Sequence, residues 1–229
     1  FATCPYVFVD STIHAGVDEW IADSTAAALV YGSISGWDVS QVTSMSELFE
    51  NQYEFNDDIS AWDVSSVTDM SEMFKMADAF NQDIGSWDVG AVTNMRGMFW
   101  SAGAFNQDLD DWDVSSVLNM KQMFVSALTF NQDIGNWDVG AVTDMENMFN
   151  NAYEFDGDIS GWDVSAVEQM DYMFYNCYVF NQDLGGWDVS SVTDMGLMFD
   201  DAQSFNQDLS DWDVSNVTSM TSMFWNCNA

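Results

Sequence analysis

Along most of the chain the apolar positions follow a pattern that returns every 25 residues. In FNQDIGSWDVGAVTNM, residues 80–95, apolar side chains stand at Phe80, Ile84, Trp87, Val89, Val92 and Met95, with small or polar residues between them. Trp37, Trp62, Trp87, Trp112, Trp137, Trp162, Trp187 and Trp212 keep that interval without insertion or deletion, and each is followed by Asp and Val. Met45 through Met220 and Phe49 through Phe224 hold the same step in eight units, and Phe55 through Phe205 in seven. Fifteen of the 16 methionines and fifteen of the 17 phenylalanines fall in such columns, so the period sets the architecture.

One unit reads in phases. Ile84, Trp87 and Val89 have the spacing of the short parallel strand of a leucine-rich repeat. From Met95 the apolar residues shift to helical spacing at Met98, Phe99 and Ala102, which predicts a short helix or 3-10 segment. Asp69 and Glu72 have the spacing of a capping box for it. Phe80-Asn81-Gln82-Asp83 reads as a polar turn leading back to the next strand. A single unit cannot bury its own apolar face, whereas stacked units bury a continuous column. The expectation is therefore an α/β solenoid, leucine-rich-repeat-like and right-handed, with eight 25-residue coils over residues 37–229. Residues 1–36 break the pattern. Ala15 to Val30 reads as a helix, and the segment as an N-terminal cap. The final FWNCNA stops within a repeat, so the last coil is read as incomplete and uncapped, open to end-to-end contact, in a mature form or a fragment.

The string W-D-V-S-x-V-T-x-M-x-x-M-F-x-x-A-x-x-F-N-Q-D-I resembles the BspA-like surface-protein repeat over about residues 31–229. The segment VDEWIADSTAAALVYG is similar to the one that precedes such arrays in algal members. The resemblance implies a secreted or surface-exposed protein that binds proteins or mediates adhesion, with no established catalytic activity. The lipidation signal of the bacterial members is not seen, which argues against direct membrane anchoring.

Charge narrows the partners. The chain has 38 acidic and 3 basic residues, for a formal net of -35, which disfavours nucleic acid and anionic membranes and attracts cations and basic proteins. No apolar run is long enough to span a bilayer. Asn216-Val217-Thr218 is an N-glycosylation sequon, which agrees with an extracellular or cell-surface location; a peripheral subunit of an organellar assembly is the alternative.

Two acidic columns return in the units. Asp38, Asp63, Asp88, Asp113, Asp138, Asp163, Asp188 and Asp213 follow the tryptophans and are expected to face outward. Asp58, Asp83, Asp108, Asp133, Asp158, Asp183 and Asp208 lie in the turn before each strand. Stacked carboxylates suit Ca²⁺, which makes calcium-dependent adhesion the alternative function. The competing reading, that each Asp accepts turn N–H groups, is favoured because a fold determinant belongs in nearly every unit. The Asn56, Asn81, Asn106, Asn131, Asn181 and Asn206 column, with Asp156 in its place once, reads as a hydrogen-bonded ladder. The column Thr43, Thr68, Thr93, Thr143, Thr193 and Thr218 resembles an ice-binding array, but Leu118 and Glu168 interrupt it and a capping role fits better.

Cys177 and Cys227 share a column of small core residues, two units apart and too far for a disulfide, while Cys4 has no evident partner. The lone His14 lies in the cap, and no catalytic constellation is expected. The residues that differ between units say more about partners. Trp100, Tyr153, Tyr172, Tyr175, Tyr178 and Trp225 are the candidate anchors for proteins or glycans. The leading expectation is a non-enzymatic scaffold for protein interaction or structural assembly.

Overall fold

The structure is a computed structural model and describes residues 6–227. A short strand β1, Val7–Val9, leads into helix α1, Asp10–Ala22, and helix α2, Ser24–Tyr31. A 3-10 turn, Ile34–Gly36, then delivers the chain to β2, Asp38–Gln41, which pairs in parallel with β1. The single helix expected over residues 15–30 is thus two. Asp23 breaks it with extended φ/ψ of -158° and 91°, and its carboxylate accepts the N–H of Ala26 to cap α2.

Beyond β2 the units stack in register. Single parallel bridges link Ser44, Asp69, Asn94, Asn119, Asp144, Gln169, Asp194 and Ser219, each to the equivalent residue of the next unit. The pairing therefore falls just before the Met95 column. At the Ile84–Val89 stretch, where a strand was expected, the backbone makes tight turns instead: Trp87 N–H donates to the Ile84 carbonyl and Val92 N–H to that of Val89.

The expected helical second half also takes another form, with neither α- nor 3-10 helix in the stretch that follows Met95. Met98, Trp100 and Ala102 donate their N–H groups three residues back, to Met95, Gly97 and Phe99. Met95, Gly97, Phe99 and Ser101 donate theirs to Asn119, Lys121, Met123 and Val125 of the next unit, at 2.7–3.0 Å. A helix would direct every N–H along its own axis; here alternate ones reach across to a neighbour. That alternation is achieved by left-handed backbone at Gly97 and Ser101, with φ of 59° and 55°, and at the equivalent residues of the other units. Asp69 accordingly accepts the N–H of Ser71 in a local turn, and caps no helix.

The apolar columns form one continuous core from Phe8 to Met223. Within a unit the two phenylalanines stack closely, as in Phe74 on Phe80 at 3.9 Å and Phe124 on Phe130 at 4.1 Å. Between units like rings stack at wider spacing, 5.5 Å for Phe49–Phe74 and 6.3 Å for Trp137–Trp162. Each buried indole needs a hydrogen-bond acceptor. Trp87, Trp112 and Trp137 find it in the carbonyls of Ile59, Ile84 and Leu109 of the preceding unit.

The N-terminal segment completes these ladders. Trp62 donates to the Ile34 carbonyl, as later tryptophans do to their own predecessors. The Asp10 carboxylate accepts the N–H and hydroxyl of Thr43 and the N–H of Ser44, in the role that the Thr43 carbonyl plays for Thr68. Phe8, Ile13 and Val17 join the core. Cys177 is buried and its thiol donates to the Phe149 carbonyl, while Cys227 is half-buried and makes the equivalent contact to Phe199. Cys4 lies outside the described residues.

Candidate functional site

The acidic columns are engaged in the backbone. In the column after each Trp, Asp38 through Asp213 accept the N–H two residues on, at 3.0–3.2 Å in all eight units. The Ser65 and Ser115 hydroxyls add a second bond to Asp63 and Asp113. These hydroxyls first, and the serine N–H groups second, hold both carboxyls below the usual carboxylate range. In the second column Asp58, Asp83, Asp108, Asp158, Asp183 and Asp208 make the same local turn. Asp133 instead accepts the N–H of Asp158 in the next unit. Among the described residues no group of three or more His, Cys, Asp or Glu side chains is arranged to hold a metal ion.

The asparagine column is a side-chain ladder. Asn56 Oδ1 accepts the N–H of Asn81 and the amide of Gln82, and Asn81, Asn106 and Asn181 repeat this with their successors. The threonine hydroxyls donate backward to carbonyls of the preceding unit, as Thr93 does to Thr68. No helix follows them to be capped.

The candidate aromatics lie on the ladder stretch that varies between units. Trp100, Tyr175 and Trp225 share one column, with Trp225 62% exposed on the last unit. Tyr153 stacks on Tyr178 at 4.9 Å, and Tyr172 lies 5.8 Å from Tyr175. The four tyrosines form a cluster in adjacent units. Trp100 stands three units away, roughly 14 Å at strand spacing, and belongs to a different neighbourhood. Lys75 Nζ lies 4.9 Å from its ring centroid. Asn216 is exposed, and its amide donates to the Ser190 carbonyl at 2.7 Å.

A charged network on this face was not anticipated. Lys75 pairs with Glu50 and Glu72 at 3.0 and 2.5 Å, Arg96 pairs with Glu72, and Lys121 pairs with Glu146. The signal was present in the sequence: all three basic residues fall in the same part of three consecutive units. Next to Glu146 in the stack, Asp171 is pushed up to about 6 by burial and by the charges of Glu146 and Asp194, against which Lys121 acts weakly.

Stacked 25-residue units with invariant turn ladders and one variable face define a repeat protein. A family model described as "Mycoplasma protein of unknown function, DUF285" matches residues 21–137 and again 127–229. The chain belongs to this family, in keeping with a family of repeat surface proteins. No curated protein matches it significantly. Among the described residues no helix is long and apolar enough to cross a membrane.

Proposed function

We propose that the protein is a non-enzymatic, secreted or surface-exposed scaffold, a right-handed leucine-rich-repeat-like solenoid that binds other proteins through its variable face. The observation that carries this reading is where the units differ. The positions after the Trp-Asp-Val triplet hold mainly serine, glycine and alanine, whereas those equivalent to 96, 97, 100, 101 and 103, between the core columns, range from glycine to tryptophan and from glutamate to arginine. Half-buried tyrosines there supply rigid apolar area with a polar tip, one of the side chains enriched among interface anchors. The likeness of the capping segment to algal members of the BspA-like group supports placing the chain on that branch.

The test is direct binding of the immobilised chain to purified extracellular-matrix glycoproteins and a glycan array, with serum albumin as control. A triple variant, Tyr153→Ser, Tyr172→Ser and Tyr178→Ser, is run in parallel after its melting curve is matched to that of the parent. Binding that falls about tenfold or more in the variant supports the reading. Binding no better than albumin, or undiminished in the variant, refutes it.

A further inference from the structure

The molecule carries an internal template for what its face accepts. Lys75 lies over Trp100, the next residue of its own column, between the carboxylates of Glu50 and Glu72. Three units on, the same two places are held by Asn150 and Tyr175. The aromatic has returned and the cation has not. Asn150 donates its amide to Asn147 at 2.5 Å, and its Oδ1 is buried without a hydrogen-bond partner. Such an acceptor costs free energy until a donor reaches it.

The adjacent column supplies negative charge. Glu146 and Asp171 stand in successive units, with Lys121 as the neighbouring cation. All three basic residues of the chain are already committed to ion pairs, so no Lys or Arg is left to occupy this place. An orphan acceptor, an aromatic ring and the Asp171 carboxylate share one need, a cationic donor group; Glu146, already paired with Lys121, adds negative charge beside them.

We infer that the face around Asn150 and Tyr175 takes a lysine or arginine side chain of a partner protein, its charge against Tyr175 and Asp171, and that the Asn150 side chain turns outward to accept an N–H at Oδ1. This rests on the proposed reading of the face as a protein-binding surface and names the partner's chemistry. A guanidinium or ammonium group satisfies acid, ring and carbonyl oxygen together, as Lys75 does for the first two within the chain.

The test must separate a built site from the attraction of any basic peptide to a chain of net charge -35. A fluorescein-labelled peptide of alternating glycine and arginine is titrated by anisotropy in about 150 mM salt, where the Debye length is ~8 Å. A glycine-serine peptide is the uncharged control. Asn150→Lys places the missing cation within the chain and should weaken binding by about tenfold, as should Asp171→Asn, through loss of a charge-assisted contact. Tyr175→Leu keeps the charge and should also weaken it. Asp111→Asn, an equal change of charge in the turn before Trp112, should leave it within about twofold. Equal weakening by Asn150→Lys and Asp111→Asn overturns the inference, as does equal binding of the two peptides. If glycoprotein binding remains tyrosine-dependent while Asn150→Lys has no effect, the face reading stands and the cation site falls.

Discussion

The asparagine ladder makes a prediction that the chain itself has half performed. Asn106 Oδ1 accepts the N–H of Asn131 at 2.9 Å and the amide of Gln132 at 2.8 Å, while the Asn106 N–H donates to Asn81 at 3.0 Å. The Asn106 carboxamide nitrogen has no part in the ladder bonds. In unit five Asp156 holds the equivalent place, and its Oδ1 accepts the N–H of Asn181 and the amide of Gln182, both at 2.9 Å. The side chain is therefore needed as an acceptor, and its amide group is dispensable.

Asn106→Ala strips the acceptor from one main-chain and one side-chain donor. At about 1 kcal/mol for each partly buried donor, the loss is about 2 kcal/mol. For a chain of this length that lowers the melting temperature by roughly 4–8 °C. Asn106→Asp keeps the acceptor and adds one half-buried charge at a place where Asp156 already serves in unit five, and should stay within about 0.5 kcal/mol of the parent. Thermal and urea unfolding of the parent and both variants, followed by circular dichroism, decides the matter. Should Asn106→Asp fall as far as Asn106→Ala, the amide group is essential and the acceptor argument is wrong. Should neither fall, the ladder adds nothing to stability.

Two further expectations concern backbone strain and pH. A side chain at Gly97, with φ of 59°, would start 3.2 Å from Glu72 Cγ, so Gly97→Val should cost about 2 kcal/mol in urea unfolding. Gln122, with φ of 61° in the same column, should gain a few tenths of a kcal/mol on Gln122→Gly, as relief of left-handed strain outweighs the added freedom of the unfolded chain. Asp63 and Asp113 have lowered values, so their contribution is present above the unfolded value of 3.8 and is lost as pH falls below it. Asp171, raised to about 6 with Glu146, Asp194 and Lys121 around it, works the other way: its contribution is full below 3.8 and is lost as pH rises through 6. Melting temperature should therefore peak near 3.8 and decline from there to about 6. Asp171→Asn should flatten the alkaline side, by about 1 kcal/mol after allowance for solvent screening. A monotonic profile, or an alkaline limb unchanged in Asp171→Asn, contradicts this.

The period, the core columns and the asparagine ladder were legible because each is a repeated demand on residue type: Trp87 for volume, Asn81 for an acceptor. How the backbone satisfies that demand was not. Met95, Met98, Phe99 and Ala102 have helical spacing, yet the same spacing serves consecutive turns in which fully buried residues alternate with half-buried ones. Left-handed backbone is usually announced by glycine or asparagine. The Asn51 column does announce it, with Asn151, Asn176 and Asn226. The Glu47 column hides it behind Glu72, Gln122, Tyr172 and Leu197. Those residues are held there by N–H bonds to the next unit, a tertiary cause that no local pattern shows. The break at Asp23 was readable as Asp-Ser-Thr, a helix start inside an apparent helix. On the face, the aromatics stood out as departures from the consensus, while the role of Asn150 depended on Lys75 three units away.

The same ladders limit how a partner can be read. Every second N–H from Met95 to Ser101 is given to the next unit, and those between are given back into the same unit. An added strand laid across this face would find its amides already engaged, so recognition by strand addition is closed along its length. Aspartates that return in each unit cannot tell one unit from another, and one oxygen of each accepts a backbone N–H, local in every case but Asp133. What is left to distinguish places on the face is the set of side chains that differ: a lysine over a tryptophan in one neighbourhood, an uncharged amide beside a tyrosine in another. On the proposed reading the uniform acidity would draw basic partners in from a distance, and these differences would determine where along the stack they stop.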